Sequence, residues 1–519
     1  MIRSAKKLKK VHMNKSTTLV LIGLILFLVA SKTALSEMPS TVPANQVMLK
    51  IKLGMPVEYD NVVIKGNLTS EWLRLPARAI ARLPVEEKMP PSDETKLANN
   101  SIVIKNCIIG GRVDFNNTLF QRQVSFVNAI FLENVSFTYS TFNGDAAFSD
   151  CKFLKAGSLT GSRFNGKADF SQSHFKWPVS FINTQFGSIA DFSRTQFISA
   201  AYLSGCQFGG PTGFIGTIFD DYVEFFSSHF AGDVFFDRTY FGGDANFIES
   251  SFSQVAEFNK TILNSEASFE GAHFAGPTRF LGAIFNDTAI FVSTQFDRNA
   301  SFEQTRFSGD SLFAQAKFNE IAEFVDCFFH KVTSFRESDF LIDAAFHNTS
   351  FLGPSDFTAS KFQGSVDFGG SRFMEDADFC SVRFNGPADF SRSTFLEKIN
   401  LQDTEFKKNV HFESCRINTL NLTRSRYEWL FLHWDSVNHL EKDEQAHQKL
   451  IDNYERLQWE TDSSECRLAC SNETTAEDAK DYSWIMGLLD IDRLAKGFAL
   501  LPDRGENMDD GNASHPMRF

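Results

Sequence analysis

The side chains best suited to catalysis or metal binding lie near the C-terminus of this 519-residue chain. They are histidines and aspartates of one segment: His433, Asp435, His439, Asp443 and His447. A helical zinc site typically uses two histidines four residues apart, and none of these histidines has that spacing. We interpret them as solvated or helix-capping residues, and we expect no catalytic residue, no metal and no cofactor. An enzyme with its site between His433 and His447 is the alternative.

A second set of candidate ligands consists of aspartates that stand immediately before a phenylalanine: Asp114, Asp169, Asp191 and Asp389. Calcium-binding solenoids rely on tight Gly-Asp turns repeated in register, and this sequence lacks such a run. The glycine pairs at 209–210, 242–243 and 369–370 lack the strand–loop–helix context of a phosphate-binding loop. We interpret these aspartates as outward polar residues and these glycines as turn residues.

Surface charge is the remaining indication of function, because the chain has a formal net charge of -13. Acidic residues are concentrated between residues 220 and 270, where Arg238 and Lys260 are the basic residues. Seven of them form the candidate interaction face: Asp220, Asp221, Glu224, Asp233, Asp237, Asp244 and Glu249. This charge disfavours direct binding to nucleic acid. A solvated acidic face that aids solubility is the simpler interpretation.

These polar residues are set within a strict apolar rhythm that runs from Ile104 to Ile417. A large apolar residue, usually Phe, recurs at alternating intervals of five and six residues, and the chain contains 58 Phe. The residue two positions earlier is nearly always small, so both point to one side as on a strand. The rhythm predicts a buried core of phenylalanines. Representative members are Phe115, Phe120, Phe126, Phe170, Phe192, Phe247, Phe313 and Phe390.

The rhythm also predicts the size of the repeating coil. Eleven residues make two short sides, which would form a flat hairpin without an interior. Twenty-two residues make four sides that can close around a core, with each Phe stacked on the Phe of the next coil. Five cysteines occupy the small position and are expected to be buried rather than cross-linked: Cys107, Cys151, Cys206, Cys327 and Cys415. Cys466 and Cys470 lie outside the repeat and either pair with each other or stay free.

The repeated unit small–Asp–Phe–polar–polar identifies a resemblance. It occurs at Ala168–Gln172, Ala190–Arg194 and Ala388–Arg392, and it resembles the pentapeptide repeat family over about residues 104–417, in its Phe-centred, eleven-residue subgroup. The resemblance implies an all-β fold, a right-handed quadrilateral β-helix (solenoid), to which we add a small helical C-terminal cap. Some members of the family are acidic rods that mimic duplex DNA and bind type II topoisomerases.

The segments that flank the repeat predict export and two caps. A basic start and the apolar run Leu19–Ala30 predict a signal peptide or a membrane anchor in residues 1–36. Twelve residues are short for a membrane span, which needs about 20. Residues 37–103 are expected to form an irregular N-terminal cap and loop, and residues 427–501 a helical C-terminal cap with helices at 436–459 and 481–501. Residues 502–519 are expected to be disordered.

These features favour a non-enzymatic scaffold, structural or protein-binding, that is exported and either secreted or tethered to the surface. Its partner would be an unidentified protein or a component of the cell envelope, and not nucleic acid. An uncleaved Leu19–Ala30 segment would instead leave the protein anchored in a membrane. The alternative function is an acidic DNA mimic that binds a type II topoisomerase, although an export signal would separate it from that enzyme.

Overall fold

The computed structural model describes residues 39–73 and 96–472. The predicted signal or anchor in residues 1–36, the helix at 481–501 and the tail at 502–519 therefore lie outside the described residues. The chain divides between Arg306 and Phe307 into two compact units, and each is described by itself.

The N-terminal unit is a parallel β-solenoid built from very short strands. One complete coil consists of the strands Ala168–Asp169, His174–Phe175, Val179–Ser180 and Gln185–Phe186. Each strand pairs in parallel with the strand 22 residues later, as in Ala168↔Ala190, His174↔Gln196, Val179↔Ala201 and Gln185↔Gln207. We call these the first, second, third and fourth sides of the coil. Two-residue strands of this kind continue from Ile130–Phe131 to Ala300–Ser301, so the predicted coil of 22 residues is confirmed.

The interior of the coil is filled by the phenylalanines and by the small residues two positions before them. All eight representative core phenylalanines are at most 2% exposed. On the first side, Phe170 stacks on Phe192 with ring centroids 5.1 Å apart, and on the second side Phe175 stacks on Phe197 at 5.1 Å. Rings of the first and third sides also meet edge to face, as Phe170 and Phe181 do at 5.4 Å. The core therefore combines offset stacks along each column with edge contacts across it.

The five-residue steps differ from the six-residue steps because they contain a tight turn. After Phe192, the residue Arg194 has φ 58°, and the N–H of Thr195 donates to the carbonyl of Phe192 at 3.0 Å. A positive φ at the third residue and a closing bond from the fourth to the first define a type II turn. Equivalent left-handed residues recur every eleven positions, for example Gln172, Asn183 and Gly205. The shorter step thus saves one residue by using backbone conformations that most side chains disfavour.

Buried hydroxyl or thiol groups follow most of these turns. Thr195 Oγ1 donates to the carbonyl of Phe170, in the preceding coil, at 2.7 Å. Cysteine takes the same place at Cys151, whose thiol donates to the carbonyl of Phe126 at 2.8 Å. Burial raises the pKa of Cys151 to about 12, so this thiol stays protonated and unreactive at neutral pH. Cys107, Cys206, Cys327 and Cys415 are buried as well.

The N-terminal segment is more regular than the sequence suggested. It contains strands Ser40–Pro43, Val57–Asp60, Val62–Lys65, Leu68–Thr69, Lys96–Ala98 and Ile102–Lys105, helix α1 (Ala44–Lys52) and a short 3-10 helix (Ser70–Leu73). Val57–Asp60 pairs with Ile102–Lys105, and Ser40–Pro43 pairs with Val62–Lys65. The ladder therefore begins before the first Phe, because aliphatic residues such as Val57 and Ile64 fill the inward positions there.

The C-terminal unit has the same coil and ends in helices. Two-residue strands run from Ser311–Leu312 to Ala388–Asp389, followed by Thr394–Asn400, Glu405–Phe406, Val410–His411, Arg416–Asn421, Leu430–Phe431 and Val437–Leu440. Helices α2 (Glu444–Leu457) and α3 (Glu460–Asn472) come last. The prediction of an all-β solenoid with helices at its C-terminal end is confirmed.

Two details at this end were predicted wrongly. The predicted helix from Ser436 begins eight residues too early, because Val437–Leu440 is a strand in register with Ile417–Leu420 and α2 begins at Glu444. The carboxylate of Asp443 accepts from the N–H groups of Gln445 and Ala446 and fixes that start. The ladder also continues beyond Ile417, where leucines such as Leu430 replace phenylalanine in the interior.

Candidate interaction surface

The histidines and aspartates near the C-terminus have separate structural contacts. The ring of His433 stacks on Trp459 with centroids 4.2 Å apart, and its Nδ1 lies 3.4 Å from Asp462. His447 is buried, with Nδ1 3.0 Å from the carbonyl of Asp443. Bonds from the backbone N–H groups of Ala446 and Gln445 hold the pKa of Asp443 below its ordinary value. His439 is exposed on strand Val437–Leu440.

The aspartates that precede phenylalanines support the tight turns of the five-residue steps. Asp169 Oδ1 accepts from the N–H of Ser171 at 3.0 Å and from its hydroxyl at 2.6 Å. Asp191 and Asp389 accept in the same way from the N–H groups of Ser193 and Ser391. Such bonds from a carboxylate to the backbone two residues on are characteristic of turns. Within residues 39–73 and 96–472, no group of three or more His, Cys, Asp and Glu residues could hold a metal ion.

The coil divides the seven acidic residues of the candidate face between two sides. Glu224 projects from the third-side strand Val223–Glu224, which pairs with Ala245–Asn246. The backbone carbonyl of Asp244 accepts from the N–H of Val223, and the carboxylate of Glu249 accepts from the hydroxyl of Ser227 at 3.0 Å. Asp220 and Asp221 occupy the corner that leads into this side, where Gln196 donates to Asp220 at 2.7 Å. Five of the seven therefore share one side.

The remaining two acidic residues, Asp233 and Asp237, flank the first-side strand Val234–Phe235. Asp233 Oδ1 accepts from the N–H of Val255 at 3.2 Å. Burial raises the pKa of Asp237, and the negative charge of Glu257 adds to that effect. The seven residues therefore do not form a single acidic face, because Asp233 and Asp237 lie on a different side of the coil.

Exposed aromatic residues lie among the acidic residues of the third side. Phe226 is 39% exposed and follows the buried core residue Phe225. The rings of Tyr202 and Tyr222 lie 6.2 Å apart, and both are partly exposed. Partial burial, together with the negative charges of Glu224 and Asp244, raises the pKa of Tyr222. The signal in the sequence for this cluster is Phe226, a second Phe directly after the inward Phe225 and outside the five-and-six-residue spacing. The sequence analysis did not identify it.

Positive charge is missing from this part of the third side. Residues 200–205, 222–227, 244–249 and 266–271 contain five acidic residues and no Lys or Arg. We define the acidic–aromatic side as these aromatic and acidic residues together with the two corner aspartates: Tyr202, Tyr222, Phe226, Asp220, Asp221, Glu224, Asp244, Glu249, Glu266 and Glu270. It combines uncompensated negative charge with exposed rings, which suits recognition of a cationic polypeptide surface.

Comparison with protein families agrees with this architecture. The family model described as pentapeptide repeats matches in nine copies, over residues 104–152, 159–202, 236–284, 269–316 and 346–394. The chain belongs to the pentapeptide repeat family across this region. No curated protein and no solved structure matches the chain. None of the helices in the described parts of the chain is long and apolar enough to cross a bilayer.

Proposed function

We propose that this protein is an exported or surface-tethered scaffold without catalytic activity that binds a protein partner through its acidic–aromatic side. The observation that carries the proposal is the conjunction of one exposed and two partly exposed rings with seven acidic residues on one side of the N-terminal unit. A pentapeptide-repeat solenoid is a structural or protein-interaction scaffold, and its interior is fully occupied by side chains. Binding must therefore use the outward residues.

The chemistry of this side favours a basic partner that also presents apolar groups. Tyr and Phe are enriched at protein interfaces because their rings bury a large area. Uncompensated carboxylates accelerate encounter with a positive surface and exclude acidic competitors. The partner would therefore present Lys or Arg beside aliphatic or aromatic residues, and its association would weaken as salt is raised.

A cross-linking experiment on the full chain tests the binding surface. A photoreactive group at Ser227, between Phe226 and Glu249 in this side, should capture a partner from cell-envelope extract at low salt. Tyr222→Ser combined with Phe226→Ser should abolish capture. The matched control is Ile198→Ser combined with Leu281→Ser, which changes two exposed apolar residues on the second and first sides. Equal capture by both variants would contradict the proposed surface.

Export is supported by the basic start and by the apolar run Leu19–Ala30. Cell fractionation with N-terminal sequencing tests it directly. A chain outside the cytoplasm that begins near Ser36 indicates a cleaved signal, and a membrane-bound chain that retains Met1 indicates an anchor. A soluble cytoplasmic chain with residues 1–36 intact would overturn this part of the proposal.

The DNA-mimic function is a second candidate because carboxylates are also what a topoisomerase would recognise in place of phosphates. A supercoiling assay with a type II topoisomerase and the purified chain separates the two functions. Inhibition that is lost in Glu224→Gln combined with Asp244→Asn would replace the scaffold proposal, and activity unchanged by the chain would remove this candidate.

A further inference from the structure

The N-terminal end of the solenoid carries exposed apolar side chains that its own fold does not require. Helix α1 packs Val47, Met48 and Ile51 against the first coil. On its outward face, Leu49 and Leu53 are 52% and 63% exposed. Met55 follows the turn at Gly54 and is 49% exposed. Three of the large apolar side chains that are most accessible in the described residues thus lie within seven positions of one another.

Lysines flank these leucines on both edges of the outward face. At 100° per residue, Leu49 and Leu53 lie close together on the helix surface, with Lys50 on one edge and Lys52 on the other. Lys52 is exposed, and the Lys50 ammonium lies 4.6 Å from the centre of the Tyr59 ring. The nearby carboxylates Glu58 and Asp60 belong to a strand that runs along the coil, and Asp60 already accepts from Asn106 at 2.7 Å. Apolar residues bordered by lysines are typical of helices that lie at a membrane surface.

The chain outside the described residues places this end close to the predicted tether. Residues 31–38 separate the apolar run Leu19–Ala30 from the first described residue, Pro39. The nine residue steps from Ala30 to Pro39, fully extended, span at most about 30 Å. A bilayer that held Leu19–Ala30 would therefore be within reach of α1, which follows strand Ser40–Pro43 directly.

We infer that the outward face of α1, together with the turn that follows the helix, docks on an anionic lipid bilayer through Leu49, Lys50, Lys52, Leu53 and Met55. Leu49, Leu53 and Met55 enter the interfacial region, while the two ammonium groups contact lipid phosphates. Docking turns the N-terminal end of the solenoid toward the membrane and leaves the acidic–aromatic side free for a partner. The inference rests on the tethered form of the proposed function, and it adds a second, reversible membrane contact.

Lysine accessibility on vesicles tests the inference with the full chain. The chain is added to vesicles of phosphatidylcholine with or without phosphatidylglycerol, and a membrane-impermeant acylating reagent labels the lysines for mass spectrometry. Lys260, exposed on the first side, is the internal standard. On anionic vesicles, labelling of Lys52 relative to Lys260 should fall severalfold, because the ammonium group is held against the lipid phosphates. Leu49→Ser combined with Leu53→Ser should restore it, whereas Ile198→Ser combined with Leu281→Ser should not.

Flotation of the same vesicles separates failure of the inference from failure of the tether. A chain that floats with the vesicles while Lys52 stays as reactive as Lys260 overturns docking and leaves the tether standing. If Lys52 is equally protected before vesicles are added, another part of the chain, such as residues 74–95, covers this face. That result would also overturn docking on the bilayer. A chain that does not float overturns both.

Discussion

Phe225 and Phe226 are adjacent in sequence but belong to two regions with opposite roles. Phe225 is fully buried and stacks on Phe247 with centroids 4.8 Å apart, whereas Phe226 is 39% exposed among carboxylates. The interior repeats the same residue types from coil to coil, because every column must fill the same space. The acidic–aromatic side changes from coil to coil, because outward residues are free of that constraint. The comparison shows that the interior residues specify the fold, and that the outward residues distinguish one part of the surface from another.

The largest effect is expected from emptying the interior. Phe247→Ala should lower the free energy of unfolding by about 3–5 kcal/mol, because it leaves a cavity in a closely packed column. Asp244→Ala, three residues away on the surface, should be nearly neutral. Urea denaturation followed by circular dichroism measures both. Equal losses in the two variants would mean that the division between interior and surface is wrong.

A smaller effect is expected from a buried hydroxyl that ties neighbouring coils together. Thr195→Val keeps the shape of the side chain but removes the bond to the carbonyl of Phe170. The loss should be about 1 kcal/mol, since the carbonyl still accepts from the N–H of Ser173. Thr195→Ser retains the hydroxyl and serves as the control. An unchanged free energy of unfolding in Thr195→Val, or a larger loss in Thr195→Ser than in Thr195→Val, would contradict the hydrogen bond as the main contribution of this side chain.

The smallest effect on stability is expected at Asp237, a half-buried carboxylate whose ionised form is disfavoured by burial. Burial raises the pKa of Asp237, so the folded state binds its proton more tightly than the unfolded state does. The ionised carboxylate therefore destabilises the fold above its folded pKa, and this penalty disappears as the pH falls to the ordinary value. Asp237→Asn should stabilise the protein at neutral pH and lose that advantage near pH 3.8. A pH series of thermal unfolding measures this, and an advantage that grows with acidification would contradict it.

The interior could be predicted well from the sequence, because the space available inside the coil restricts which residue types can fill each inward position. The interval from Phe170 to Phe192 and the small residue Ala190 two positions earlier are enough to derive four sides and a coil of 22. The end of the ladder was harder to predict, since Leu430 and Val437 replace phenylalanine there. The tight turns were also not predicted, because a left-handed backbone at Arg194 leaves no characteristic residue type in this chain.

The surface was only partly predictable, for a geometrical reason. Tyr202 and Tyr222 are 20 residues apart and Phe226 follows four later, so none of these intervals matches the repeat. Only the coil shows that they share a side with Asp244 and that Asp233 does not. The acidic residues were identified from the local composition of the sequence. Composition gives the number of charges but does not show on which side of the coil each residue lies.

The most direct test of the account compares Phe225→Ala with Phe226→Ala, for both stability and partner capture. We predict that Phe225→Ala loses about 3–5 kcal/mol of unfolding free energy, while Phe226→Ala stays within about 0.5 kcal/mol of the parent chain. Phe226→Ala should nevertheless reduce capture by the photoreactive group at Ser227. Similar stability losses in the two variants, or undiminished capture by Phe226→Ala, would contradict the assignment of the fold to the interior and of recognition to the acidic–aromatic side.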